Sequence, residues 1–406
     1  MRIKHLPALA LSLYLLLQTQ AFAFAPGQDI LAQKDDGNWY IAWVIREEAG
    51  QVLVAYNWSA NEMEWLPSER IRENQRAPKA DAEKWISGWN SSEGSLWALA
   101  ISADGKWAAV AAAAGYIQTF EQPNLYPLQK LPGNQKPIRA LAFSPDSQSL
   151  ASCDDGGQIS IYQTGQWKLL QRKQVSGSCN TLAFSKQGVL ALAGYTAQKN
   201  PTQALWLYDL NSQKLSAPLV PKPSQERVIS SLSFDPSGEF LALGSSNQLK
   251  GIELFSVSNL SLKALRKLPS AGDISTLAFS PDGKYLAAGG TEQKLMLWNW
   301  RSGQRFWATP WRSGKEQYIT NLDFSPDGSQ IAVCGMGSGE PVQIFRTGNG
   351  KHVKSLGKKT SMNCTGLRFT QDNQSLLTIR QVYSNFFELI LDRYRLKPNR
   401  TGETQP

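Results

Sequence analysis

Seven leucines restrict the fold of this chain more than any other feature. Leu99, Leu141, Leu182, Leu232, Leu277, Leu322 and Leu367 stand 42, 41, 50, 45, 45 and 45 residues apart, and each heads a version of one pattern. Thr276–Gly283, TLAFSPDG, is its clearest copy. Leu277-Ala278-Phe279 supplies a short apolar strand, and Pro281-Asp282-Gly283 forces a tight turn, because proline presets φ and glycine accepts φ > 0. A second apolar run follows, Tyr285–Ala288, then Leu295–Trp298 and a turn at Ser302-Gly303. Each repeat is thus a meander of short antiparallel strands. Periods of this length belong to four-stranded units that must stack to bury their faces.

The third run of the repeat ends in an aromatic residue: Phe120, Tyr162, Tyr208, Phe255, Trp298 and Phe345. Tyr208-Asp209 stands where the Trp-Asp pair of the WD-repeat family would sit, and residues 85–396 resemble that family and the Ser-Pro-Asp-Gly propellers of bacteria. The resemblance implies an all-β fold, a seven-bladed β-propeller. No Gly-His dipeptide occurs, so the family's buried Asp-His network cannot form and the blades must be held by apolar packing. The last repeat ends after three runs, at Phe387–Leu396, while Trp85–Trp89 precedes the first anchor with the character of a strand. We expect that N-terminal strand to complete the last blade and hide its edge.

Ahead of the repeats lie other segments. Arg2 and Lys4 precede an apolar stretch and Ala21-Phe22-Ala23 offers small residues, so 1–23 reads as a secretory signal peptide that leaves an exported, periplasmic or secreted, chain with no transmembrane span. Residues 26–72 contain four strand-like runs, a small N-terminal β-barrel, and 73–84 form a polar linker. Asp36–Ala42 and Tyr56…Trp58…Glu64-Trp65-Leu66-Pro67 resemble the Tudor and chromo-barrel group, which implies a candidate aromatic cage of Tyr40, Tyr56, Trp58 and Trp65 for a substituted cation. The alternative is that these rings fill the core of a very small barrel. Residues 397–406 read as a flexible tail.

Measured from the anchor leucines, the four cysteines fall into register. Cys153 and Cys334 lie 12 residues after Leu141 and Leu322, and Cys179 and Cys364 lie 3 before Leu182 and Leu367. In a propeller those positions meet between adjacent blades, which points to disulfides Cys153–Cys179 and Cys334–Cys364 in an oxidising compartment, against the alternative of four buried thiols. Zinc is disfavoured, because no histidine accompanies the cysteines.

Three further departures from the repeat stand out. Asp323 and Arg368 follow their anchor leucines where other repeats carry mostly Ala or Ser, and read as an ion pair. Arg305, Trp307, Trp311 and Arg312 interleave aromatic and guanidinium groups, a binding-patch composition, though the rings could equally pack inside the fold. Tyr195–Gln203 and Gly335–Pro341 read as long loops able to face a partner.

Removing the signal, with Arg2 and Lys4, lowers the formal charge from +9 to +7. No run of like charge appears, which argues against nucleic acid as a partner. No nucleophile elbow, metal-ligand cluster or phosphate-binding loop is present, so no cofactor, metal or catalytic residue is assigned. The sequence reads as an exported binding or scaffold protein engaging a protein partner or envelope polymer, and it resembles Tol-type periplasmic propellers with a different module order. A propeller enzyme, a lactonase-like hydrolase or cofactor-dependent oxidoreductase, is the alternative by fold analogy.

Overall fold

The computed structural model describes residues 29–33, 39–48, 51–56, 63–73, 85–90 and, with short interruptions, 96–396. The expected signal segment, Trp58, Arg312 and the tail lie outside the described residues. The chain divides between Lys79 and Ala80, inside the expected linker, into two compact units.

The first unit is a five-stranded antiparallel sheet. Its order runs Met63–Pro67, Gln51–Tyr56, Trp39–Glu48, Asp29–Gln33, Ile71–Glu73. The two edge strands are joined by the single turn Ser68–Arg70. Four residue steps span at most about 14 Å of extended chain, whereas the edges of a flat five-stranded sheet would lie about 19 Å apart. The sheet must therefore curl. Alternation sends Ala32, Val52, Val54, Leu66 and Ile71 inward as a small apolar core.

The second unit consists of antiparallel sheets in chain succession, and the turns after their first strands explain the repeat. In TLAFSPDG, Ser280 Oγ donates to Asp282 Oδ1 at 2.6 Å and accepts from Tyr285 N–H at 2.9 Å. Asp282 Oδ1 also accepts from Lys284 N–H at 3.1 Å, and Gly283 takes φ of 68°. Ser102 with Asp104, Ser144 with Asp146, Ser325 with Asp327 and Thr370 with Asp372 repeat the hydroxyl–carboxylate bond. The motif is a hydrogen-bonded clasp that reverses the chain between two buried strands.

The expectation of seven separate four-stranded blades requires correction. Hydrogen bonding among the described residues forms six sheets in this unit, five of four strands and one of eight. The cause lies at Gly335–Pro341, expected as a loop. Strand Gln330–Gly339 takes in its first five residues, and Met336–Gly339 pairs with Thr360–Asn363 of the following strand, merging two four-stranded groups. The eight-stranded sheet also takes in Trp85–Asn90, which pairs with Phe387–Arg395, so the N-terminal strand closes the fold on its C-terminal partner.

The innermost strands, from Leu96–Ile101 through Ile138–Phe143, Thr181–Phe184, Val228–Phe234, Ile274–Phe279 and Tyr318–Phe324 to Thr360–Phe369, pack each beside the next, and the last packs beside the first. Their cycle is closed. Apolar clusters fill the space between successive sheets: Ile159, Ile161 and Cys153 meet Leu190, Leu192 and Trp206, and Leu295 and Leu297 meet Ile331 and Val333. Buried phenols add a polar tie, Tyr162 donating to Pro132 O of the preceding sheet at 3.1 Å and Tyr208 to Gln171 Oε1 at 2.6 Å. Apolar packing therefore does hold sheet to sheet, as the missing Gly-His dipeptide requires.

Candidate protein-interaction site

Both disulfides are present. Cys153–Cys179 joins the end of the second strand Ser149–Asp154 to the approach of the innermost strand Thr181–Phe184, and Cys334–Cys364 joins the interiors of Gln330–Gly339 and Thr360–Phe369, with Cα atoms 5.7 and 5.8 Å apart. They mark one end of the ring, and the chemistry of interest lies beside the first.

Six of the innermost strands carry a β-bulge two residues before the anchor leucine. The extra residue is Trp97, Arg139, Ser230, Ser275, Thr320 or Thr365 in chain order. Where it is Ser230, Thr320 or Thr365, its hydroxyl donates to a backbone carbonyl of the next innermost strand: to Ile274 O, to Cys364 O at 2.6 Å and to Leu96 O at 3.1 Å. The hydroxyl is a structural tie between neighbours. In two adjacent sheets that tie is replaced by Trp97 and Arg139.

The replacements meet each other. The Arg139 guanidinium lies 3.7 Å from the centre of the Trp97 ring. Its Nε and Nη2 donate to the two carboxylate oxygens of Asp155 at 2.6 and 2.7 Å. A forked pair stacked on an indole leaves the guanidinium a single orientation. The Arg139 side chain is 39% exposed and that of Asp155 30%, so the group faces solvent in a fixed pose.

The backbone beneath is also fixed. Asp155 N–H donates to Pro137 O at 3.0 Å and Cys179 N–H to Asp154 O at 3.1 Å, while Asp154 Oδ1 accepts from Gly156 and Gln158 N–H, both at 2.9 Å. The neighbouring disulfide clamps the turn that presents Asp155. An exposed salt bridge adds little stability, so this arrangement contributes position more than free energy. The sequence held the signal. Counted from the anchor leucine, the second residue before it reads Trp, Arg, Asn, Ser, Ser, Thr, Thr, and only the first two are bulky.

The residues singled out from sequence distribute as follows. Asp323 keeps some accessible surface in the ring, yet burial pushes its carboxyl up to about 6, against the downward pull of the Arg368 charge and of backbone N–H donors. Phe369 N–H donates directly to Asp323 Oδ2 at 2.8 Å, while Arg368 Nη1 donates to Leu367 O at 2.7 Å. Trp311 is buried and Trp307 half-buried in the cluster between the fifth and sixth sheets, with Trp307 Nε1 donating to Thr347 O at 2.8 Å. Arg305 is exposed nearby. Of the aromatic cage, Trp65 is 36% exposed on strand Met63–Pro67, opposite Leu53 in register. Tyr40 and Tyr56 sit opposite Ala32 and Ala42, their side chains outside what the structure describes. Among the described residues no three His, Cys, Asp or Glu side chains stand together as a metal site, and no helix is long and apolar enough to cross a membrane.

Comparison with known proteins agrees with this architecture. The model of the WD domain, G-beta repeat, matches residues 125–163 and 262–299. A relative described as SEC12-like protein 1, from Arabidopsis thaliana, is 28% identical over 168 residues, which are 39% of this chain and 42% of the relative. The matched part of the chain thus spans less than half of that relative's length. The chain carries WD-domain repeats and folds into a β-propeller.

Proposed function

We propose that this chain is an exported, non-catalytic scaffold that holds a protein partner on the disulfide-bearing end of its propeller. Its eight-stranded sheet acts as two fused blades, so that seven units surround the axis, in keeping with the closed cycle of innermost strands. One observation carries the reading: Trp97 and Arg139 stand where Ser230, Thr320 and Thr365 make hydroxyl ties at other bulges, and they stack on each other above a clamped Asp155. Tryptophan and arginine dominate binding hot spots, because each brings large contact area with directed polar groups. The two disulfides support export, since such bonds persist in oxidising compartments. The N-terminal sheet, with Trp65 exposed, supplies a second contact.

The test uses the immobilised full chain and its Trp97→Ala and Arg139→Ala variants against an extract of the native host. A stoichiometric protein retained by the parent and lost by both variants, with thermal melting unchanged within a few degrees, is the expected result. Equal retention by all three would sink the proposal.

A further inference from the structure

The outermost strands share two features that the Trp97–Arg139 site does not use. The first is an irregularity repeated in register. In Lys168–Gln174 the pairing passes from Tyr162 with Leu169 to Ile161 with Gln171, which leaves Leu170 as an extra residue. The same slip leaves Leu265 in Ser261–Leu268, Phe306 in Gln304–Pro310 and Val353 in His352–Leu356, and it falls at Leu128 in Tyr126–Pro132. Each slip directly follows the partner of a third-strand aromatic. A bulge re-aims its extra side chain out of the ladder. Here the side chain is large and apolar every time: Leu128, Leu170, Leu265, Phe306 and Val353 are 43, 49, 46, 51 and 40% exposed. With Trp65 of the first unit, they are all the exposed large hydrophobic residues among those described.

The second feature is charge. Lys168, Arg172 and Lys173 share one outermost strand, Lys263, Arg266 and Lys267 another. Among the described residues, no outermost strand contains an Asp or a Glu. Bulges and lysines are the usual guards of a free sheet edge and account for the slip and for the basic residues. They do not account for Leu, Phe or Val at the bulge, where a polar residue would guard the edge without exposing apolar surface.

We propose that the outer wall of the propeller is a docking surface for an extended acidic polypeptide segment that carries apolar side chains. Its carboxylates meet the Lys and Arg rows, and its apolar side chains cover the bulge residues. Charge complementarity selects an acidic partner, and the apolar residues select a polypeptide over a plain polyanion. An anionic bilayer shares this chemistry but not the geometry. Because the innermost strands form a closed cycle, the outermost strands face away from the axis in every direction, and a plane can touch only neighbouring ones.

A fluorescent peptide of Glu, Leu and Gly, titrated with the full chain at low salt, is the probe, alongside versions with Gln for Leu and with Lys for Glu. The expected result is binding of the first peptide alone, at least tenfold weaker in the Leu170→Ser, Leu265→Ser, Phe306→Ser triple variant and similarly weaker when Lys263, Arg266 and Lys267 are changed to Gln. Melting curves check that both variants remain folded. Raising salt from about 50 to 300 mM should also weaken it severalfold, as the screening length shortens. Undiminished binding by folded variants, equal binding of the Gln peptide, or sedimentation with phosphatidylglycerol vesicles without peptide binding would each overturn the proposal.

Discussion

The two disulfides occupy equivalent places in the repeat, yet the boundaries they staple are built differently. At Cys153–Cys179 the sheets remain separate, and the adjacent turn displays Asp155 to Arg139 and Trp97. At Cys334–Cys364 the strand runs on beyond the cysteine and pairs with its neighbour, making one eight-stranded sheet. That sheet also contains the seam, where Trp85–Asn90 pairs with Phe387–Arg395 from the far end of the chain. Closing so long a loop has the highest entropy cost of any pairing in the ring. The same staple thus serves display at one boundary and reinforces closure at the other.

The largest expected effect tests the seam. Replacing Trp85–Asn90 by a Gly-Ser segment of equal length leaves the edge of Phe387–Arg395 unpaired and removes a whole strand from the eight-stranded sheet. The loss should reach about 5 kcal/mol, comparable with the stability of a typical domain, so that no cooperative melting transition survives at neutral pH. A melt like that of the parent would show that the ring does not depend on this strand.

Removing either disulfide ranks next. The cysteines are separated by 26 and 30 residues, nearly the same loop, so Cys153→Ser/Cys179→Ser and Cys334→Ser/Cys364→Ser should each cost about 3 kcal/mol by denaturant unfolding. The two should part in function. Only the first frees the turn beneath Asp155, so only the first should also weaken partner retention at native temperature. Equal weakening by both would erase the contrast between display and closure.

Much of the fold was legible because the repeat is a ruler. The anchor leucines alone place the strands, the disulfide pairs and the closing strand, since period and apolar alternation are local properties of the chain. The merging of two groups of strands was not legible. Met336–Gly339 is a Gly- and Ser-rich stretch with loop composition, and it becomes strand only because Cys334–Cys364 and Thr360–Asn363 bring a partner alongside. The site was half legible. Trp97 and Arg139 stand out once the position before the anchor is aligned, but their stacking and the capture of Asp155 depend on which strands lie next to each other. Trp307 and Trp311 mark the opposite case. Their composition suggested a surface, and tertiary packing takes both rings between sheets.

A smaller effect sharpens the comparison of boundaries at one equivalent position. The residue after the anchor is Ala142 beside the first disulfide and Asp323 beside the second. Asp323 accepts a hydrogen bond from Phe369 N–H of the next innermost strand, a cross-strand tie that Ala142 cannot make. The tie has a cost, because burial lifts the carboxyl to about 6 although Arg368 and backbone donors oppose the rise. A folded-state value above the ordinary 3.9 means that the protonated form is favoured on folding. The contribution to stability is therefore complete below about pH 4 and is lost as pH rises through 6. Asparagine keeps an acceptor for Phe369 N–H and has no charge to bury. Asp323→Asn should raise stability at pH 7.5 by about 1 kcal/mol, reduced from the full shift by the residue's partial exposure, and should not alter it at pH 4. Denaturant unfolding of both proteins between pH 4 and 8 measures this directly. Parallel curves across that range would mean that Asp323 is ionised at little cost, and that the second boundary gains its hydrogen bond without penalty.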